Sequence, residues 1–518
     1  MLNLSIVLEQ SAKNLPNHEA FVYADTRLTF AQTNAAANQV ANGLKAIGIK
    51  KGDKVALSCL NLPYFPIIYY GILKLGGVVV PLSVLLKRDE IAYHLQNSDA
   101  KAYLCFQGTP DLPMGEEGHA GFLASPDCQH FFVITGNPKA ESPIIGTATL
   151  GSLMAQKSPH FNTVSTKADD DAVIIYTSGT TGKPKGAQLS HSNLFLNVST
   201  SADTFLQLRE TDVQLLTLPM FHIFAMTVNM NAGVYKGVKS ILLPRFDAQA
   251  ALHLMQKEKV TFFAGVPTMY WALLNCPNTE GADLAEISKN LRLCVSGGAS
   301  LPVQVLTEFD AKFKVAILEG YGMSEGSPVV TFNQPNRERK PGSIGTPVWG
   351  VDVMLINEKG KQVPMGEKGE LIYRGPNVMK GYYKSPVETR KALKNGWLHS
   401  GDVAVQDNDG YFYIVDRVKD MIIRGGLNVY PREVEEVMMK HEAISLVAVI
   451  GVPSDEHGEE VKACVVLKPN AVASPEEIVE WTKSRIAAYK YPRTVQIMAA
   501  LPMSATGKIL KKDLRKLV

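Results

Sequence analysis

The sequence lacks the excess of one charge that marks many binding proteins. Lys and Arg number 53 and Asp and Glu 50, which leaves a formal net charge of +3 over 518 residues. A balance this even, with no run rich in Lys and Arg, argues against a nucleic-acid partner. Hydrophobic residues make up 46% and charged residues 20% of the chain, as in soluble globular proteins. At this length we expect an enzyme of several domains.

Cysteine is also scarce and scattered. The six cysteines include no CxxC pair, which fits neither a disulfide framework nor a zinc cluster. The N-terminus has no basic segment of the kind that opens a signal peptide. We therefore predict reduced thiols and a cytoplasmic location.

Long hydrophobic runs are rare, and one of them could be mistaken for a membrane span. Residues 60–86 hold a single charge, Lys74, and are long enough to cross a bilayer. Prolines and the pair Gly76 and Gly77 divide the run, so we predict a helix at 65–75 and a buried strand at 78–81. At most a peripheral contact with a membrane is expected.

From residue 28 to residue 318, apolar β-rich runs alternate with helical patterns. Helices are predicted at 30–47, 88–96, 248–257 and 303–313, and strands at 55–59, 102–106, 131–134, 173–176, 240–243, 261–264 and 291–295. Such alternation is typical of βαβ units with parallel sheets. Strands between Gly-rich turns at 351–414 predict a small antiparallel or barrel-like unit, and the Gly/Pro-rich residues 108–121 predict a loop.

These patterns together predict an α/β fold. Its large N-terminal domain, residues 1–416, would combine two βαβ-type sheet subdomains with a small β-barrel-like subdomain. Charged residues at 417–419 form a predicted hinge, and residues 420–518 a small, mobile α+β C-terminal domain.

Residues 175–186, Ile-Tyr-Thr-Ser-Gly-Thr-Thr-Gly-Lys-Pro-Lys-Gly, are the most informative segment. A buried strand runs into small residues that let backbone amides approach phosphate, and hydroxyls and lysines add donors and positive charge. The loop is not a Walker A motif, because only two residues separate Gly179 from Gly182. The predicted polyphosphate ligands are Thr177, Ser178, Gly179, Thr180, Thr181, Gly182 and Lys183.

This loop resembles the signature of the adenylate-forming superfamily, which includes acyl- and aryl-CoA ligases, adenylation domains and beetle luciferases. A second string at 317–325, Ile-Leu-Glu-Gly-Tyr-Gly-Met-Ser-Glu, is similar to another motif of that superfamily, with Ser324 in place of the usual threonine. Tyr321 offers a ring on which adenine can stack, and Glu325 offers a hard oxygen ligand for magnesium, together with Thr180. The resemblance adds further nucleotide-binding residues, namely Gly298, Ala299, Glu319, Gly320, Gly322, Met323 and Ser324.

Three further positions match the superfamily. The resemblance implies that Asp402 binds ribose, that Arg417 contacts ribose or phosphate, and that Lys419 serves the hinge. Lys508 matches the catalytic lysine, although Met503 and Ser504 depart from the usual flanking residues. Gly425 and Gly426 would face a pantetheine channel after the C-terminal domain rotates.

Apolar segments at 218–226 and 262–270 resemble the walls of the superfamily's acyl pocket. His222 falls where a gate or wall residue is expected, and the small residues at 296–300 predict room for a long linear chain. The predicted acid-binding residues are His222, Phe224, Val266, Tyr270, Gly297 and Gly322, and the predicted catalytic residues are Lys508, His222 and Glu325.

The sequence is most similar to bacterial long-chain fatty-acid CoA ligases, which implies ATP, CoA and Mg²⁺ as reaction partners of a fatty acid. Formation of an acyl adenylate would precede transfer to CoA. A medium-chain or aryl acid CoA ligase, an acyl-AMP ligase that loads a carrier protein, and a luciferase-like oxygenase remain alternatives. A homodimer is possible.

Overall fold

The structure is a computed structural model that describes residues 2–177, 183–276, 282–417 and 420–517. The elements before the predicted phosphate loop are α1 (Ile6–Asn14), β1 (Glu19–Tyr23), β2 (Thr26–Thr29), α2 (Phe30–Ala46), β3 (Lys54–Ser58), α3 (Tyr64–Lys74), β4 (Val78–Pro81), α4 (Arg88–Ser98), β5 (Ala100–Phe106), α5 (Met114–Leu123), β6 (His130–Ile134), β7 (Ala148–Thr149), α6 (Leu150–Met154) and β8 (Asp171–Thr177).

The elements of the middle of the chain are β9 (Lys185–Ser190), α7 (His191–Thr200), a π-helical turn (Ser201–Phe205), β10 (Val213–Leu216), a second π-helical segment (Ala225–Asn231), α8 (Ala232–Lys236), β11 (Lys239–Leu242), α9 (Ala248–Lys257), β12 (Phe262–Gly265), α10 (Pro267–Leu274), α11 (Leu284–Asn290), β13 (Leu293–Ser296), α12 (Val303–Phe313), β14 (Ile317–Gly322), a 3₁₀ turn (Ser324–Gly326), β15 (Val329–Phe332) and β16 (Thr346–Pro347).

The remaining elements are β17 (Asp352–Ile356), β18 (Gly369–Arg374), β19 (Gly381–Tyr382), α13 (Pro386–Ala392), β20 (Leu393–Lys394), β21 (Trp397–Gln406), β22 (Phe412–Arg417), β23 (Ile422–Arg424), β24 (Leu427–Val429), α14 (Pro431–Met438), β25 (Ile444–Ser454), β26 (Gly458–Leu467), α15 (Pro475–Lys483), β27 (Thr494–Ile497) and α16 (Lys511–Leu514).

Two large sheets build most of the N-terminal part. One has nine strands in the order β16-β15-β14-β13-β12-β10-β11-β1-β2, and the other has eight in the order β19-β9-β8-β4-β3-β5-β6-β7. Strands β10 to β14 and strands β3 to β8 are joined by parallel pairings within their sheets. The predicted α/β class with two parallel-sheet units is therefore confirmed.

The third sheet is small and antiparallel. Strands β17-β18-β21-β20 lie in that order, and β22 pairs with β21 so that Asp402 stands opposite Arg417. Beyond it, β24-β23-β26-β25 and the edge strand β27 form a mixed sheet with helices α14, α15 and α16. This last unit has the α+β composition predicted for the C-terminal domain.

Helix α3 explains the apolar run at 60–86. Residues 65–74 of this helix are all buried, so the run is apolar because it lies inside the protein. Gly71 packs against Val40, where an added Cβ would come within 2.7 Å of the valine side chain. Lys74 is buried too and pairs with Glu9 at 2.6 Å. Within the described part of the chain, every helix is too short or too polar to span a membrane.

The prediction of a loop at 108–121 is wrong over most of its length, because the helix α5 begins at Met114. The glycines of α5 recur every three residues and face the core. A Cβ on Gly118 would lie 2.7 Å from the sulfur of Cys105, and one on Gly121 would lie 2.6 Å from Ile91. The glycines allow the helix to pack closely and do not interrupt it.

Candidate active site

A cleft with a volume of about 830 Å³ separates the large domain from the C-terminal domain. It lies at the carboxyl ends of β13 and β14, the edge of a parallel sheet at which ligands bind. Most of the predicted nucleotide-binding residues that the structure describes line it, together with the predicted catalytic lysine: Gly298, Ala299, Glu319, Gly320, Tyr321, Gly322, Asp402, Arg417 and Lys508.

Asp402, on β21, contacts side chains from two other strands, β14 and β22, at one wall of the cleft. The carboxylate is buried, with 5% of the residue exposed. Its Oδ2 accepts a 2.5 Å hydrogen bond from the Tyr321 hydroxyl, and its Oδ1 lies 3.1 Å from Nε of Arg417. Burial and the Asp402 charge raise the pKa of Tyr321, so the phenol stays protonated and donates. The ring of Tyr321 is thereby fixed at the surface of the cleft.

Glu319 lies beside this wall in a different environment. Its Oε1 accepts the Leu301 amide at 3.0 Å, whereas Oε2 is buried without a hydrogen-bond partner among the described residues. Burial raises the pKa of Glu319 to about 7, and the positive charge of Arg432 opposes that rise. The cleft therefore contains a carboxyl group that changes charge near neutral pH.

Glu325 is held from two sides by hydroxyl groups. Its Oε1 accepts hydrogen bonds from Tyr382 at 2.8 Å and from Thr177 at 3.3 Å. Burial and the Glu325 charge raise the pKa of Tyr382, which keeps the phenol a donor. Hard carboxylate and hydroxyl oxygens suit Mg²⁺, so the donors at this position fit the predicted metal site. Tyr382 was not predicted, because nothing in the sequence around it indicates a contact with Glu325.

The C-terminal domain brings Lys508 into the cleft through the loop at 502–508. Thr268 donates a hydrogen bond to the carbonyl of Gly507 at 3.0 Å across the domain boundary. A Cβ on Gly507 would lie 2.9 Å from the same hydroxyl oxygen, and the residue has φ of +76°, so glycine is required on both counts. Thr268 is a second residue that the sequence did not identify.

The charge of Lys508 acts on His222, although 286 positions separate the two residues in the sequence. Burial and the charge of Lys508 lower the pKa of His222 to about 4. The imidazole is therefore neutral near pH 7. Its Nδ1 faces the amide of Phe224 at 3.3 Å, which orients the ring.

The residues predicted to wall the acyl pocket are closely packed against one another in several places. A Cβ on Gly297 would lie 3.2 Å from the Phe224 ring, and Val266 packs between Gly298 and Gly507. Tyr270 is fully buried and donates its O–H to the carbonyl of Val295 at 2.7 Å. We therefore assign Tyr270 to the support of the wall. Gly322 packs against the carbonyl of Pro328, so its missing side chain serves a close backbone contact.

Other predicted residues lie at or beyond the edge of this constellation. Met323 donates its amide to Pro328 at 3.1 Å, and Ser324 begins the 3₁₀ turn that carries Glu325. Lys183 is exposed, with Nζ 5.2 Å from the centroid of the Tyr93 ring.

Gly425 and Gly426 form the turn between β23 and β24, outside the cleft lining. Five loop predictions and one hinge prediction lie outside the described residues, namely Ser178, Gly179, Thr180, Thr181, Gly182 and Lys419.

A second cavity, of about 1140 Å³, lies at the carboxyl ends of strands from both large sheets. Its lining is mainly apolar and includes Phe221, Met269 and, from the loop that carries Lys508, Ser504 and Ala505. The side chain of Arg245 is exposed among the lining residues and pairs with Asp111 at 3.0 Å. The Lys508 loop thus stands between the two cavities.

The chain is similar to known enzymes over almost its whole length. Residues 8–383 match the family model for AMP-binding enzymes, and residues 433–508 match the model for the AMP-binding enzyme C-terminal domain. The chain is 38% identical to a long-chain-fatty-acid–CoA ligase of Bacillus subtilis, over 99% of this chain and 94% of the relative.

Two further comparisons involve aromatic acids. A feruloyl-CoA synthase of Amycolatopsis is 36% identical, over 98% of this chain and 97% of the relative. The crystal structure of the anthranilate CoA ligase AuaEII with anthranoyl-AMP superposes with a TM-score of 0.92 at 31% identity, over 99% of this chain and 97% of that one.

Replacing Glu319 by glutamine tests its unusual protonation. The folded-state pKa of about 7 exceeds the ordinary value of 4.5, so the folded state binds the extra proton and stability falls as pH rises between those values. We expect Glu319→Gln to remove this loss, which amounts to at most about 3 kcal/mol. The melting temperature of the variant relative to wild type should then increase from pH 5 to pH 8.

The matched control for this prediction is Glu308→Gln, on the exposed face of α12. It should leave the pH dependence of the melting temperature unchanged. Parallel pH profiles for wild type and Glu319→Gln would mean that the Glu319 carboxyl titrates normally in the folded protein.

Proposed function

The chain belongs to the family of AMP-binding enzymes and is an adenylate-forming acyl-CoA ligase, and from that premise we propose that its preferred acid is a long-chain fatty acid. One observation carries the mechanism: Lys508 lines the same cleft as the Tyr321–Asp402 wall, and its charge acts on the neutral His222. This arrangement suits a reaction in which two anions, a carboxylate and a nucleotide, must meet.

In the first half-reaction a carboxylate oxygen attacks the α-phosphorus of ATP. The new P–O bond gives an acyl adenylate, and the bond to pyrophosphate breaks with its electron pair leaving on pyrophosphate. Lys508 would balance the negative charge that develops at the phosphate. Neutral His222 adds no charge of its own and can border the uncharged part of the acid.

The nucleotide is proposed to lie along the wall formed by Tyr321 and Asp402. Adenine would stack on Tyr321 near Gly298 and Ala299, and Asp402 would accept hydrogen bonds from the ribose hydroxyls. Arg417, which is paired with Asp402, would contact ribose or phosphate. The phosphates would extend toward the loop that Thr177 begins.

Magnesium would be held by Glu325, with Thr180 as a second ligand, and would supply charge balance to the triphosphate. Two side chains of the protein orient Glu325 for this role. Tyr382 and Thr177 both donate to one oxygen of Glu325, which fixes the orientation of the carboxylate.

In the second half-reaction the CoA thiol attacks the carbonyl carbon, AMP leaves and the thiol proton is lost to solvent. We propose that the pantetheine arm enters through the second cavity, whose apolar lining suits a long neutral chain. The Lys508 loop lies between that cavity and the cleft, so the C-terminal domain must move first. Rotation about the hinge at 417–419, with Lys419, would replace this loop by Gly425 and Gly426.

The choice of acid rests on the wall formed by His222, Phe224, Val266, Gly297 and Gly322. None of these side chains can neutralise a second charge on the substrate, which favours an apolar acid. The Bacillus relative supports a long chain. A second candidate is an aryl acid, favoured by the close packing of the Phe224 ring over Gly297 and by the feruloyl and anthranilate relatives.

The function is tested by incubating the purified protein with Mg²⁺, ATP and acids from acetate to oleate, plus ferulate and benzoate, with and without CoA. Mass spectrometry follows AMP and thioester. We expect acyl-CoA formation to be greatest for acids of the length of laurate and above. A maximum with ferulate or benzoate would favour the second candidate, and adenylate that never transfers to CoA would favour a carrier-protein acceptor.

Replacing Lys508 by alanine should separate the two half-reactions. We expect pyrophosphate release to fall by about 100- to 1000-fold, because a charged group that stabilises the transition state is removed. Conversion of supplied acyl-AMP and CoA to acyl-CoA should be retained. Lys516→Ala, at an exposed lysine near the same terminus, is the control. Equal losses in both half-reactions would contradict a role confined to adenylation.

Replacing Arg245 by alanine tests the route of CoA. If the guanidinium binds a phosphate of CoA, its loss should raise KM for CoA by about 10- to 100-fold, because a charge-assisted hydrogen bond contributes about 1.5–3 kcal/mol. Pyrophosphate release should not change. Arg374→Ala removes a similar exposed arginine, paired with Asp352 at 2.9 Å, away from both cavities. The same KM for CoA in both variants would place the CoA phosphates elsewhere.

A further inference from the structure

The space beside Gly320 is occupied by an aromatic ring. Gly320 and Phe332 are direct partners in the antiparallel pairing of β14 with β15. A Cβ on Gly320 would lie 2.4 Å from Cδ2 of Phe332, so the ring lies across the glycine. The missing side chain at this position makes room for Phe332, and the position is not open space.

Phe332 is itself held in place from behind. Its ring stacks on Phe205, with centroids 4.1 Å apart and planes 24° from parallel. Both residues are buried, with exposed fractions of 2% for Phe332 and 1% for Phe205. Phe205 ends the π-helical turn that follows α7, so the stack ties β15 to that turn. A ring packed in this way does not move aside freely.

The position of this stack relative to the cleft follows from strand geometry. Side chains alternate along β14, so Glu319 and Tyr321 face one side and Gly320 faces the other. Tyr321 borders the proposed nucleotide. Gly297 follows Ser296, which pairs with Glu319 in the parallel register of β13 and β14, so Gly297 lies next to Gly320 and faces the same side. An added Cβ on Gly297 would lie 3.4 Å from the Gly320 carbonyl and 3.2 Å from the Phe224 ring.

We propose that Phe332, supported by Phe205, forms the end of the acyl pocket and limits the length of the acid. The inference rests on the proposed function, since it assigns a limit to the acid-binding side of that site. An acyl chain that passes Phe224 would run along Gly297 and Gly320 and meet the Phe332 ring. Phe332 is thus a specificity-determining residue, and Phe205 is its positioning residue.

The test is Phe332→Val, measured as kcat/KM for pyrophosphate release over saturated acids of increasing length. Valine retains a residue suited to a strand and removes most of the ring. We expect kcat/KM to rise about tenfold for acids about two carbons longer than the wild-type optimum, since a methylene in an apolar pocket is worth about that factor or more. Phe332→Leu, a smaller change, should shift the optimum in the same direction.

The matched control is Phe313→Leu, which removes a ring from another buried stack, that of Phe309 and Phe313 at 4.3 Å. It should leave the length profile unchanged. Melting temperatures identify a variant that fails to fold, in which case Phe332→Leu and Phe205→Leu carry the test.

The outcomes separate this inference from the proposed function. Thioester formation by wild type with an unchanged length profile in soluble Phe332 variants would overturn the inference alone. Failure of wild type to convert any acid and CoA to a thioester would overturn the proposed function. A shift toward longer acids in the Phe332 variants, absent from Phe313→Leu, supports the assigned limit.

Discussion

The candidate site depends on one contact across the domain boundary, the hydrogen bond from Thr268 to the carbonyl of Gly507. It seats the loop at 502–508 against α10 and so brings Lys508 into the cleft. The contact leaves no room for a side chain at position 507, and the backbone there has a positive φ. Because Gly507 directly precedes Lys508, the residue that permits the docking also positions the charge. Burial is the main cause of the lowered pKa of His222, and the charge of Lys508 in this position adds to it.

Three buried carboxyl groups of the candidate site differ in what surrounds them, and the differences suit different tasks. Asp402 has a guanidinium and a phenol as partners, whereas Glu325 has two hydroxyls. Glu319 has one backbone amide and an oxygen without a described partner, and its pKa rises to about 7. A carboxylate already paired with a cation suits the neutral ribose proposed for Asp402, and one that accepts hydrogen bonds only from hydroxyls suits the metal proposed for Glu325.

Periodicity predicted much of the fold, because apolar spacing reports directly on local structure. Helices α9 and α12 begin and end at the predicted residues. The prediction of a loop at 108–121 is wrong because it treats glycine as a helix breaker. The glycines of α5 instead share one packed face of the helix. The motifs identified residues of the cleft but not Thr268 or Tyr382. Those roles arise from contacts between distant parts of the chain, which no local pattern encodes.

The Lys508 loop also creates the constraint on the second half-reaction. It lines the larger cavity through Ser504 and Ala505 while Lys508 lines the cleft, so the loop position proposed for adenylation stands in the proposed path of the thiol. A hydrogen bond such as that of Thr268 contributes only about 1 kcal/mol net. Such a contact can favour the docked position and still break at little cost once pyrophosphate has left. The proposed rotation therefore requires that the Lys508 loop dock in one specific geometry and yet bind weakly. The close contact of Gly507 with the Thr268 hydroxyl meets both requirements.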